Sequence, residues 1–399
     1  MLSELGFNEG IAGDDAVAIL VGPNGSGKSI HLHKIALEYR YRRSVNVLST
    51  TIYDRFAGMR GVNRFSAGRG GQSPKGIIKA AIAKTLDRES SEFYQINSIL
   101  EYCGYAPRFG FKLDGHRPDT FEKLQLNDGD LDDLLSSPEA VDDFEAARHF
   151  LDRWPRDGMM WIDARGPVHE FSARREFAAV LRIEALLSKA KLLRRIRVYL
   201  EKQDGAVFEL QHASSGELSL ISSLVFLSTT VEQNSIVLID EPENSLHPSW
   251  QREYVGKIFS ALAYRNVSII IATHSPLVVT GAISEYPDLV SVYQMQDGVP
   301  CKLKLDGASP GDAGIEAVLW RAFDVVTPAN HFVSEEIVEA MDRFERGQID
   351  KSDVLSFIEK LRKKSTDRKQ LDFFDAVVAL VDKVEARKNA PQTPDPPLR

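Results

Sequence analysis

At 399 residues with 43% hydrophobic side chains, the chain has the length of two or three domains and the composition of an ordinary globular protein. Its net charge of −8 excludes a protein that coats nucleic acid with its whole surface, though not a local basic patch. Two distant cysteines, Cys103 and Cys301, exclude a disulfide framework and a cysteine metal site. No run approaches the roughly 20 apolar residues of a membrane helix. The opening residues lack the pattern of a signal peptide, so a cytoplasmic protein with no membrane partner is expected.

In chain order, the first strong signal is the apolar run Ala16, Val17, Ala18, Ile19, Leu20, Val21, which predicts a buried strand. Gly22, Pro23, Asn24, Gly25, Ser26, Gly27, Lys28 and Ser29 follow and fit the phosphate-loop pattern G-x-x-x-x-G-K-[ST] at every fixed position. Residues 30–40 are rich in helix formers, which supplies the strand–loop–helix context that the motif requires. Its glycines let backbone N–H groups close around phosphate oxygens, and the helix N-terminus adds partial positive charge. Lys28 would reach the β- and γ-phosphates of a bound nucleotide, and the Ser29 hydroxyl would ligate Mg²⁺.

Residues 44–50 predict a second strand. Residues 53–76 are dense in glycine and in Arg55, Arg60, Arg64 and Arg69, which predicts a long flexible loop. It is either solvated surface or a place where nucleic-acid phosphates would be contacted. From 73 to 189 the pattern is mainly helical, with Ile77, Ile78, Ala81, Ile82 and Leu86 at helical spacing. An acidic stretch over 128–143 reads as a solvated face, and Met159, Met160 and Trp161 read as core or helix-packing material.

At Arg195 the period changes to alternation, with a turn at Asp204-Gly205, which predicts a hairpin. It leads into Ser214-Ser215-Gly216-Glu217 and an apolar helix. Ser235-Ile236-Val237-Leu238-Ile239 is a continuous run suited to a central parallel strand. It ends in Asp240 and Glu241, which belong at the mouth of the sheet. Residues 267–272 predict another buried strand, with His274 just beyond it. Residues 289–305 predict a second hairpin turning at Asp297-Gly298. The remainder is helical and polar, with three amphipathic stretches around Ile337, Ile358 and Val377 and a proline-rich end.

Each motif alone is common: Ser-Ser-Gly is an ordinary turn and a lone His is usually structural. In this order they resemble the ABC-type ATPases, in the soluble branch that includes the SMC and OLD-like proteins. The resemblance covers roughly residues 15–305. It implies an α/β fold, a P-loop NTPase with an ABC-type core of mostly parallel sheet plus antiparallel hairpins. The expected organisation is a core over 1–72 and 190–305, a mainly helical insertion over 73–189, a helical C-terminal region over 306–387 and a disordered tail over 388–399.

It also implies ATP and Mg²⁺ as cofactors. Residues Gly22 to Ser29 take the phosphate-binding role, and Ser214, Ser215 and Gly216 the part of the signature motif. Asp240 becomes the magnesium aspartate, Glu241 the catalytic base and His274 the histidine that senses the γ-phosphate. Glu243-Asn244-Ser245-Leu246-His247-Pro248 departs from transporters by lacking their aspartate and looks like the version in small stand-alone ATPases. No glutamine is well placed for a Q-loop, Gln72 being the nearest, and no aromatic is placed to stack on adenine.

There are no heptad arms, and no acidic cluster follows His274 as an OLD nuclease would need. The layout is similar to the ATPases of Septu-type and retron defence systems. That implies an ATP-dependent homodimer or higher oligomer controlling a separately encoded effector such as a nuclease. A DNA-repair or chromosome-maintenance ATPase that clamps DNA, and a non-hydrolysing ATP-dependent scaffold, stay open as alternatives.

Overall fold

A computed structural model describes residues 1–7, 16–51, 54–66, 74–87, 92–115, 138–155, 158–163, 171–303, 315–323, 325, 331–364 and 368–388. Its strands are β1 (Ala16–Val21), β2 (Val45–Ser49), β3 (Asn63–Ser66), β4 (Tyr105–Asp114), β5 (Met159–Asp163), β6 (Arg195–Lys202), β7 (Val207–Glu209), β8 (Ile236–Asp240), β9 (Ser268–Ala272), β10 (Val290–Gln296) and β11 (Val299–Lys302). The helices before the signature turn are α1 (Lys28–Tyr39), α2 (Pro74–Asp87), α3 (Glu92–Tyr102), α4 (Pro138–Arg153), α5 (Phe171–Arg182) and α6 (Glu184–Lys189). After it come α7 (Ser215–Thr230), α8 (Pro248–Ala261), α9 (Pro276–Glu285), α10 (Ile315–Phe323), α11 (His331–Glu345), α12 (Lys351–Lys364) and α13 (Arg368–Lys388).

The main sheet has the order β11-β10-β1-β9-β8-β2-β3. Its pairs are parallel except for the terminal β10–β11 hairpin. The three most apolar runs therefore lie side by side in the middle as β1, β9 and β8. Each is covered on both faces, which is why they read as continuous rather than alternating. On β1, Val17, Ile19 and Val21 enter one hydrophobic core with Val237, Ile239, Ile269 and Ile271. Ala18 and Leu20 enter the opposite core with Leu32 and Ile35 of α1. This two-faced burial fixes the register, because a one-residue slip would exchange the two cores.

Both predicted hairpins form. β6 pairs antiparallel with β7 across Asp204-Gly205. β10 returns as β11 through Asp297 (φ 51°) and Gly298 (φ 81°). Positive φ at both central residues is the signature of a type I′ turn, for which Asp-Gly is a preferred pair.

Three expectations need correction. The interval 73–189 also holds β4 and β5, which join β6 and β7 in a second, antiparallel sheet of order β5-β4-β6-β7. Met159, Met160 and Trp161 are thus strand residues, and the sheet joins the interval to the segment before the signature turn. The glycine- and arginine-rich stretch is not loop throughout, because Asn63–Ser66 adds to the sheet edge beside β2. The C-terminal helices close on a core of their own, made of Trp320, Ile337, Phe344, Ile358, Leu361, Phe374 and Val381. The expected boundary between helical region and tail lies one residue early, since Lys388 still belongs to α13. Residues 389–399, Gln72, Arg69 and the acidic stretch over 128–137 lie outside the described residues.

Candidate nucleotide site

The loop from Gly22 to Gly27 joins the C-terminal end of β1 to the first turn of α1. Gly22 (φ 144°), Gly25 (φ 82°) and Gly27 (φ 98°) adopt backbone that an L side chain rarely takes. The Lys28 ammonium curls back over the loop and donates to the carbonyls of Gly22 at 2.8 Å and Pro23 at 3.2 Å. Burial holds its pKa below the usual lysine value, against the opposing pull of Glu241, Asp240 and Glu243. The Ser26 hydroxyl is buried with no hydrogen-bond partner.

Three parallel strands end beside this loop. Asp240, the last residue of β8, is 1% exposed, and its Oδ1 accepts the Ser29 hydroxyl at 2.9 Å. Burial pushes its pKa up to about 6, helped by Glu241 and opposed by the Ser29 hydroxyl. Glu241 stands at φ 53°, an uncommon conformation for a non-glycine residue that persists only when its surroundings hold it. Its N–H donates to the Ala272 carbonyl of β9 at 2.8 Å, and its carbonyl accepts the Thr50 hydroxyl. The turn carries the carboxylate out of the sheet, where Oε1 lies 3.6 Å from Nε2 of His274. Burial and Lys28 together lower the His274 pKa, so the imidazole is neutral at pH 7.

Glu243 is a member of this group to which sequence reasoning gave no role. Its carboxylate accepts the Thr273 hydroxyl at 2.8 Å and the His274 N–H at 2.5 Å, fixing the turn that carries His274. Asn244 donates to the other oxygen of Glu241 at 3.1 Å. A second carboxylate two residues past Glu241, beyond Pro242, was the available signal.

The signature turn is built separately. Ser214 caps α7 in a reciprocal box: its hydroxyl accepts the Glu217 N–H and the Glu217 carboxylate accepts the Ser214 N–H. Ser214, Ser215 and Gly216 share no hydrogen bond or ion pair with Lys28, Ser29, Asp240 or Glu241 in the described structure. Gly216 does lie against the segment after Glu241, where an added Cβ would meet the Ser245 carbonyl at 2.2 Å. Of the basic stretch, Arg64 is held by Asp54 at 2.7 Å, which weakens the expectation that its arginines form a nucleic-acid contact.

The donor set fits a magnesium nucleotide. Among the described residues no three His, Cys, Asp or Glu side chains cluster as a self-sufficient metal cage. One hydroxyl and one carboxylate do meet at Ser29 and Asp240, the sparse protein contribution typical of Mg²⁺ held with substrate phosphates. The glycine cradle and the orphaned Ser26 hydroxyl supply room and a donor for phosphate oxygens.

Because the uncharged isostere removes a buried charge, Asp240→Asn is expected to stabilise the nucleotide-free protein, by on the order of 1–3 kcal/mol. For a carboxylate whose folded pKa is raised, the charged form is the destabilised one. The difference should thus be full at pH 7 and shrink as pH falls through about 6. Urea midpoints at pH 7.5 and pH 5 check this. Equal midpoints for both proteins at pH 7.5 would contradict it.

Residues 105–280 match the family described as "AAA domain, putative AbiEii toxin, Type IV TA system". The chain is 30% identical over 163 residues to the "Retron Vc95 probable ATPase" of Vibrio cholerae serotype O1 biovar El Tor, which covers 37% of this chain and 30% of that protein. It is 30% identical over 135 residues to "Protein ea59" of Escherichia phage lambda, covering 32% of this chain and 25% of that protein. It is 33% identical over 81 residues to the "Retron Ec83 probable ATPase" of Escherichia coli, covering 18% and 15%. The chain therefore spans less than a third of the length of each of these relatives. No described helix is long and apolar enough to cross a membrane.

Proposed function

We propose that this chain, an ABC-type ATPase related to the retron ATPases, binds and hydrolyses Mg-ATP. Two copies close head to tail around two nucleotides, and the closed pair switches a separately encoded effector such as a nuclease in defence against phage. The observation that carries the reading is the meeting of three strand ends. β1 delivers the phosphate loop, β8 delivers Asp240 to Ser29 at 2.9 Å, and β9 delivers His274 to within 3.6 Å of Glu241.

The residues divide the chemistry between them. Loop N–H groups and Lys28 hold the β- and γ-phosphates. Once phosphates compete for it, the Lys28 ammonium exchanges its two carbonyl acceptors for phosphate oxygens. Ser29 and Asp240 would hold Mg²⁺, which supplies charge neutralisation to the phosphates when bound. Glu241 accepts a hydrogen bond from the attacking water and aligns it with the γ-phosphorus. Neutral His274 donates from its ring to the same region, and Glu243 keeps that ring in place. Little covalent chemistry is required; alignment and charge stabilisation do most of the catalysis.

Ser214 completes the site from the other copy. Its hydroxyl oxygen accepts the Glu217 N–H, which leaves the O–H to donate to a γ-phosphate. The N–H groups of Ser215 and Gly216 at the start of α7 face the same anion. In a two-fold pair each site then takes Lys28 and Glu241 from one protomer and Ser214 from its partner.

Mixing Lys28→Ala with Ser214→Arg protein, each expected to be inactive alone, tests this arrangement. A mixed dimer has one doubly defective site and one intact site, so ATPase activity should return to about half per mixed dimer in the two-fold model. No recovery in mixtures that demonstrably contain mixed dimers would sink the shared site.

A further inference from the structure

The phosphate loop forms one wall of an open cleft whose lining includes neither Asp240 nor Glu241. Ile30, His31 and Lys34 of α1 line it on the loop side. Gln294, Gln296 and Asp297 of the β10–β11 hairpin line the other, and Arg321 of α10 and Lys360 of α12 complete the lining. We infer that the nucleoside half of the bound nucleotide lies in this cleft, its base against the Gln294–Gln296 amides and its ribose beside His31. The inference rests on the phosphate-loop reading above and extends it to the half of the ligand for which no stacking aromatic was found.

Sheet order gives the direction. The groups for metal and water stand at the ends of β8 and β9, and β1 and β10 follow in line. At about 4.8 Å between strands, three spacings separate the end of β8 from that of β10. That span is comparable with an extended nucleoside triphosphate. A γ-phosphate placed at Glu241 and a β-phosphate in the loop leave the α-phosphate and ribose to point towards β10. There the hairpin tip closes on the loop, since a Cβ at Gly27 would come within 3.3 Å of the Gly298 Cα.

The cleft also holds a polar group that lacks a partner. His31 is 3% exposed, and its Nε2 is buried with no hydrogen-bond partner. Burial keeps the ring neutral by lowering its pKa, so Nε2 suits a ribose hydroxyl. Gln296 Nε2 donates to Gln294 Oε1 at 2.9 Å. That one bond uses a single donor and a single acceptor of the pair, leaving amide donors and a carbonyl for the edge of a base. Arg321 is paired with Glu336 at 3.8 Å and so belongs to the C-terminal helices. A nucleoside here would bridge the sheet and the C-terminal core, giving that region direct contact with nucleotide occupancy.

The test compares Mg-ATP with Mg-tripolyphosphate, which has the phosphates and no nucleoside. Gln294→Ala/Gln296→Ala is expected to weaken ATP binding by about tenfold or more, the loss of one to two hydrogen bonds, with tripolyphosphate affinity unchanged. Photolabelling of the wild type with 8-azido-ATP should mark peptides containing 294–298 or the first turns of α1. Unchanged ATP affinity in the double variant, or label confined to other peptides, overturns the cleft assignment while tripolyphosphate binding keeps the loop reading intact. A wild type that binds neither ligand would remove the loop reading and this inference together.

Discussion

Glu241→Gln is expected to lower ATP turnover by about 10²–10⁴-fold, the usual contribution of a positioned base, with Mg-ATP affinity retained. The substitution keeps the side-chain length, the backbone turn at φ 53° and the main-chain bond to Ala272. What it removes is the carboxylate that faces His274. An amide in its place presents a donor as well as an acceptor, so it can no longer take the water's proton. Phosphate release at saturating ATP, with affinity measured by titration in parallel, separates the two effects. Loss of affinity together with rate would mean that Glu241 holds the nucleotide rather than the water. Undiminished turnover would move the base to another group, and Glu243 is the carboxylate already bonded to the His274 turn. Its two bonds to the His274 turn make it a positioning residue in the present reading.

The half of the molecule that holds the candidate site was legible because its signals are local. β1, β8 and β9 are continuous apolar runs, the phosphate loop is a contiguous motif, and both hairpins announce themselves by Asp-Gly. Of the second sheet only the β6–β7 hairpin was legible, because the pairing of β4 with β5 and β6 is distant. β4 contains Pro107 and Gly110, which read as breakers, and its partner β6 lies some eighty residues on. The sheet tolerates both. The register with β6 shifts between Tyr105 and Phe109, the interval that contains Pro107. At Gly110 an added Cβ would lie 3.0 Å from the Trp161 ring, so the missing side chain makes room for an indole. Glu243 was hidden for a similar reason, since Thr273 and His274, the residues that give it a role, come thirty positions later. The nucleoside cleft draws on α1, the β10–β11 hairpin and two C-terminal helices, and no stretch of sequence contains it.

Gly216→Ala tests whether the signature turn and the catalytic segment are mechanically joined, and the sign of its effect decides. Gly216 lies in the first turn of α7, where alanine is the better helix former by up to about 1 kcal/mol. If the site had room, the variant would be more stable than the wild type. Instead the new methyl would meet the Ser245 carbonyl at 2.2 Å, far inside contact distance. Neither side yields easily. The α7 turn is fixed by the Ser214–Glu217 box. Ser245 sits at φ 69°, followed by the buried Leu246. Overpacking of this kind costs about 1–3 kcal/mol, which outweighs the helical gain, so a lower urea midpoint is expected. Moving Ser245 also displaces Asn244 from Glu241 and strains the Glu243 clamp on His274, so turnover should fall in the monomer's own half of the site. Gly205→Ala is the control: unlike Gly216 it has a positive φ, at 86°, but nothing lies within 4 Å, so it should cost stability through backbone strain alone and leave turnover untouched. A Gly216→Ala protein that is more stable and equally active would show that the two segments move independently.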